Sequence, residues 1–94
     1  MVKKITFSKK ASADIDRIVE FNNVRNRSDR YSQKFISNLN NRLQQLCKQP
    51  LSGMSTDIPG ILILVWEDYY IFYKPNEDYL EISSIYHQKE NISR

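Results

Sequence analysis

The chain is poor in the residues that build metal centres, nucleophile sites and disulfide scaffolds. Among 94 residues there is one cysteine, one histidine, two glycines and three prolines. A lone Cys47 forms no internal disulfide, and with a single His87 the Cys/His ligand set of structural zinc cannot be assembled. No cofactor is expected. Ser, Cys and His are not spaced for a nucleophilic triad, and Gly53 and Gly60 alone make no phosphate-cradling loop. Long apolar runs are also missing. Ile61 to Val65 is the longest, far below the roughly 20 residues that span a bilayer, and Met1-Val2-Lys3-Lys4-Ile5 lacks the apolar centre of a signal peptide. The expectation is a soluble, cytoplasmic protein with no membrane partner.

What is present is ordinary for a folded domain: 40% hydrophobic and 27% charged residues. At this length residues 1–94 are expected to form a single domain with one modest core. Cys47 is expected to be a small core residue. The net charge of +3 and pI near 9.1 suit an acidic partner or a nucleic-acid surface without deciding between them. Lys3, Lys4, Lys9 and Lys10 form one basic cluster and Arg25, Arg27 and Arg30 another, each also compatible with a solvated surface.

Alternation over Lys3 to Phe7 predicts a short strand, and Ser8 offers an N-cap for a helix from Lys9 to about Val24. Its apolar face is Ala11, Ile15, Ile18, Val19 and Val24, with Phe21 at the flank, and Asp14 and Asp16 suit the helix dipole. Asn22, Asn23 and Asn26 weaken continuation, and Ser28 or Asp29 can cap a second helix running to about Gln49. That helix carries Tyr31, Phe35, Ile36, Leu39, Leu43, Leu46 and Cys47 at three-and-four spacing. Pro50 ends it, and residues 50 to 60 read as a loop between Pro50 and Pro59-Gly60.

Ile61 to His87 holds five of the six tyrosines, the only tryptophan and the only histidine. Three β-branched and aromatic runs parted by turn clusters predict an antiparallel meander. Strict alternation in the last run places Leu80, Ile82 and Tyr86 on one face and Tyr79, Glu81, Ser83, Ile85 and His87 on the other. One face is expected to pack on the helical hairpin. The other is expected to stay partly open, or to be covered by the tail Gln88 to Arg94 or by a partner, because Ile61 to Val65 is apolar on both sides.

The fold class is therefore α+β: an N-terminal strand, then a helical hairpin on one face of a small antiparallel sheet. That order, with Ile5-Thr6-Phe7-Ser8 and Ala11 at the start, Phe35, Leu39 and Leu43 on the second helix, Pro50 and Gly53 after it, Tyr70-Ile71-Phe72-Tyr73, and Ile82, Ile85, Tyr86 and His87 in the last strand, resembles the RelE/ParE superfamily of bacterial toxins. The likeness runs from about Lys3 to Asn91. It implies the toxin half of a type II toxin–antitoxin pair, neutralised by a cognate antitoxin and meeting operator DNA only through it.

The resemblance implies two different poisons. RelE-like members cut mRNA on the ribosome, whereas ParE-like members block DNA gyrase. Cutting RNA through its own 2′-OH needs a base, an acid and cations for the phosphorane charge. His87 is the best acid/base candidate, since its ordinary pKa lies near neutrality, with Glu81 and Lys89 as its expected companions on the open face. The tyrosines can stack on bases but equally serve cross-strand packing. No arginine stands on Ile61 to Val65, where mRNA-cutting relatives usually carry one. That absence and the long helical hairpin together tilt the expectation slightly to the ParE-like, gyrase-targeting side, with the ribosome-dependent endonuclease as the alternative and a non-toxic antitoxin-binding domain as a third.

Overall fold

In the computed structural model, which describes residues 4–26 and 30–88 and the side chains among them outside 22–26, the elements run β1 (Lys4–Phe7), α1 (Lys9–Asn26), α2 (Arg30–Lys48), β2 (Met54–Ser55), β3 (Leu62–Trp66), β4 (Tyr69–Pro75) and β5 (Tyr79–His87). They form one five-stranded sheet in the order β1-β5-β4-β3-β2, with β1 parallel to β5 and every other pair antiparallel. The α+β class, the helical hairpin and the three-strand meander are as expected. Two features enlarge the sheet: β1 adds at the β5 edge, and β2 forms inside the stretch expected to be a loop. The expected Ser28 or Asp29 cap, Val24 and the tail beyond Gln88 lie outside the described residues.

Ser8 joins β1 to α1. Its N–H donates to Ile82 O at 3.0 Å, one rung past the β1–β5 ladder. Its hydroxyl accepts from Ala11 N at 3.0 Å, the expected N-cap, and donates to Ser83 O at 2.8 Å. From there α1 replaces β1 as the neighbour of β5. Asp14 Oδ2 accepts from Ile85 N at 3.1 Å, and Arg17 Nη2 donates to Ile85 O at 3.4 Å. An edge that would otherwise present unpaired backbone groups is closed by helix side chains.

The core lies between the hairpin and one sheet face. Ala11 and Ile18 from α1 and Phe35, Leu39, Leu43, Leu46 and Cys47 from α2 meet Leu64, Trp66, Tyr69, Ile71, Tyr73, Leu80, Ile82 and Ile85. Phe35 anchors one end, its ring centroid 5.0 Å from that of Tyr69 and 5.8 Å from that of Trp66. Tyr31 and Ile36, expected on the inner stripe of α2, are exposed instead. Ser32 takes the inward position beside α1 because its hydroxyl donates to Val19 O at 3.1 Å, which turns Tyr31 about 100° away around the helix.

Candidate functional site

Strand β5 decides which side chains can act together, and strict alternation fails in its middle. Tyr73 pairs with Ile82 but the preceding Phe72 pairs with Ser84, so Ser83 is an extra residue, a β-bulge. Beyond it the parity of the strand inverts. Ile85 and His87 stand opposite Ile71 and Tyr69 on the helix-facing side. Glu81 stands opposite Lys74 on the other side, and Tyr86 opposite Tyr70.

This corrects the expected grouping. His87 does not share the open face with Glu81, and Tyr86 leaves the face of Leu80 and Ile82. His87 packs its ring edge-on to Tyr69, centroids 5.2 Å apart, at the end of the Phe35–Trp66–Tyr69 cluster. It is half-buried. Lys89, the third expected companion, lies outside the described residues. The acid/base pair read from the sequence is therefore split between two sides of the sheet.

The face away from the helices carries Ile63, Phe72 and Ser84 in one row and Val65, Tyr70 and Tyr86 in the next. Phe72 and Tyr86 meet edge to face at 6.0 Å. Four of these six, Ile63, Tyr70, Phe72 and Tyr86, are partly buried, while Val65 is 45% exposed. The expected partly open, apolar sheet face is thus present.

At the edge of that face Lys10 reaches over the Tyr86 ring, its Nζ 4.3 Å from the centroid, while pairing with Asp14 at 3.0 Å. Burial lowers the Lys10 pKa, but hydrogen bonds with Tyr86 and Asp14 outweigh it and leave the pKa above its ordinary value. Asp14 is buried, with Arg17 at 3.4 Å as its second cation. Its reading as a dipole partner on α1 understated it: the carboxylate holds the helix to β5. In the sequence only its two cations, Lys10 four positions before and Arg17 three after, mark it, and they do not announce the contact with β5.

Charge is uneven. Helix α2 carries Arg30, Lys34, Arg42 and Lys48 and no acidic residue, leaving ten cations and eleven acids elsewhere in the chain. Arg25 is on α1 with its side chain outside the described residues, and Arg27 and Lys3 also lie outside them. No group of His, Cys, Asp and Glu among the described residues is arranged to hold a metal ion. No described helix is long and apolar enough to cross a membrane.

An N-terminal strand followed by a two-helix hairpin on one face of a sheet that ends in a three-strand meander is the α+β arrangement the superfamily resemblance implied; β1 running parallel to β5 makes the sheet mixed rather than antiparallel throughout. Residues 5–92 match the family model described as ParE toxin of type II toxin-antitoxin system, parDE, and the chain belongs to that family. Among solved structures it is similar to one titled chromosomal ParDE TA system from P. aeruginosa, with a TM-score of 0.72, 17% identity, and coverage of 92% of this chain and 96% of that one. At that identity the likeness concerns the fold. No curated protein sequence matches significantly.

Proposed function

We propose that this chain is a growth-inhibiting toxin that an antitoxin partner neutralises, and that it acts on DNA gyrase rather than by cutting RNA. Membership of the ParE toxin family supports the toxin role. The observation that carries the choice of target is the bulge at Ser83, which puts Glu81 and His87 on opposite sides of the sheet. General acid–base cleavage needs both proton-transfer groups within reach of one substrate. The apolar face of Ile63, Val65, Tyr70 and Phe72 supports a protein partner, since such surface is otherwise costly to leave in water.

The test is controlled induction, alone and together with the antitoxin frame, followed by a supercoiling assay with purified gyrase. Growth arrest relieved by the antitoxin, with loss of supercoiling and intact mRNA, is the expected outcome. Normal supercoiling with messenger cleavage on translating ribosomes, abolished by His87→Ala, would install the endonuclease instead. Unimpaired growth on induction would leave an antitoxin-binding domain without toxicity.

A further inference from the structure

The pairing of β1 with β5 ends at Phe7 and Ile82, and the bulge at Ser83 begins where α1 takes over that edge. The Ser8 hydroxyl donates at 2.8 Å to Ser83 O, the carbonyl of the extra residue. Asp14 Oδ2 accepts from Ile85 N at 3.1 Å. Both contacts depend on the bulge. Along an antiparallel strand, successive residues turn their N–H and C=O groups to opposite edges. Ile82 O points to the outer edge, where it accepts from Ser8 N, so an unbulged strand would turn the Ile85 N–H toward β4 and away from Asp14. Such a strand would pair Ile71 with Ser84 and Tyr69 with Tyr86. Each pairing brings one large side chain against the helices at this point, Ile85 when the strand is bulged and Tyr86 when it is continuous. The apolar pattern alone therefore discriminates weakly between them.

We propose that α1 is a register lock on the end of β5: Ser8 and Asp14 hold the bulged pairing against the continuous one, and so decide that Tyr86 rather than His87 stands on the open sheet face. The two are positioning residues for that face. With the lock closed, the face presents the Tyr86 phenol beside Lys10, whose Nζ lies 4.3 Å from the ring centroid. With the lock released, the same strand would carry Tyr86 to the helices and bring His87 onto the side of Glu81. Leu80, Glu81 and Ile82 keep their partners in either pairing, so the exchange is confined to the strand beyond them. Ser8 suits this role because it already caps α1 through Ala11 N, which ties the start of the helix and the bulge to one hydroxyl. The inference concerns strand pairing alone and holds whichever target the toxin acts on; no growth or supercoiling readout enters its test.

The test is solution NMR on the full chain, where contacts between the α-protons of facing residues read the register directly. The parent is expected to show Ile71 with Ile85 and Tyr69 with His87. Ser8→Ala with Asp14→Ala is expected to add a second set of signals, holding roughly a tenth or more of the population, in which Ile71 faces Ser84 and Tyr69 faces Tyr86. Ser32→Ala removes a hydrogen bond to α1 away from β5 and is expected to keep the parent pairs alone. Deleting Ser83 reaches the parent pairs without a bulge, so the double substitution in that background is expected to leave one set. Should the double variant not fold, Asp14→Ala alone is expected to show the second set. A folded variant lacking the lock that keeps only the parent pairs, or the second set appearing equally in Ser32→Ala or in the deletion background, would overturn the proposal.

Discussion

The Tyr73 hydroxyl accepts a hydrogen bond from the Gly53 N–H at 2.9 Å, deep at the end of the core. The same hydroxyl donates to Pro50 O at 2.9 Å. One fully buried side chain of β4 thus satisfies two backbone groups of the α2–β2 connection and fixes where that segment lies. Tyr73→Phe should cost about 1–3 kcal/mol, the penalty for stranding buried polar groups, read as a lower urea midpoint. Gly53→Ala should cost at least as much, because a Cβ would collide with the Tyr73 hydroxyl and stand 2.9 Å from Ile63 O.

Asp14→Ala should destabilise by a similar amount, about 1–3 kcal/mol, since it strips the acceptor from Ile85 N and both cations from one carboxylate. Asp14→Asn keeps an acceptor and should cost less. Denaturant titration of the pair checks the order, and equal losses would assign the effect to charge rather than to the β5 edge.

Phe35→Ala should cost about 3–5 kcal/mol, as for large aromatic deletions in a packed core, because its ring meets both Trp66 and Tyr69. The neighbouring Ile36 is exposed, and Ile36→Ser should stay within about 0.5 kcal/mol of the parent. Thermal unfolding of the two variants side by side measures the contrast.

Stability should fall on the alkaline side. Burial pushes the Cys47 thiol above its ordinary 9.0 and the Tyr73 phenol above its ordinary 10.0. The native state therefore keeps protons that the unfolded chain has already released, so unfolding is favoured as pH rises past the unfolded values. Lys10, raised above 10.5, acts in the same direction: its contribution is intact below the unfolded value and lost as pH climbs through the folded one. Urea midpoints between about pH 8 and about pH 10 should decline, and Cys47→Ala should flatten the early part of that slope.

At the tip of the β3–β4 hairpin, Glu67 has a φ of 51°, a region where side chains other than glycine are strained. Glu67→Gly should stabilise the fold by about 1 kcal/mol, seen as a higher melting temperature. The Gln88 side chain donates to Glu67 O at 3.1 Å and its backbone N–H to Asp68 O at 2.7 Å, so the turn is held in place from β5.

Much of this architecture is written locally. Phe35, Leu39, Leu43 and Leu46 declare α2 by spacing alone, Ser8 caps α1, and the aromatic runs declare the meander. The rest depends on distant partners. Met54–Ser55 is a strand only because Ile63 and Leu62 lie opposite, and nothing in its own composition marks it. Asp14 looks like any polar residue on an exposed helix until β5 comes alongside. Tyr31 is turned outward because the inward position goes to Ser32, whose hydroxyl bonds to Val19 O. At the candidate site the residue types were readable but their grouping was not, since one unpaired residue at Ser83 has no sequence signature and reverses everything downstream of it.

That residue also acts as a frame marker for comparison. A relative of the same length that runs through positions 82 to 84 without the bulge would present its Tyr86 equivalent to the helices and its His87 equivalent to the open face, even where the residues of the strand are identical. Matching chains by letters alone would then assign the same histidine to opposite sides of the same sheet. The pairing register beyond the Tyr73–Ile82 pair, rather than the presence of a histidine, is the quantity to compare before any catalytic role is transferred.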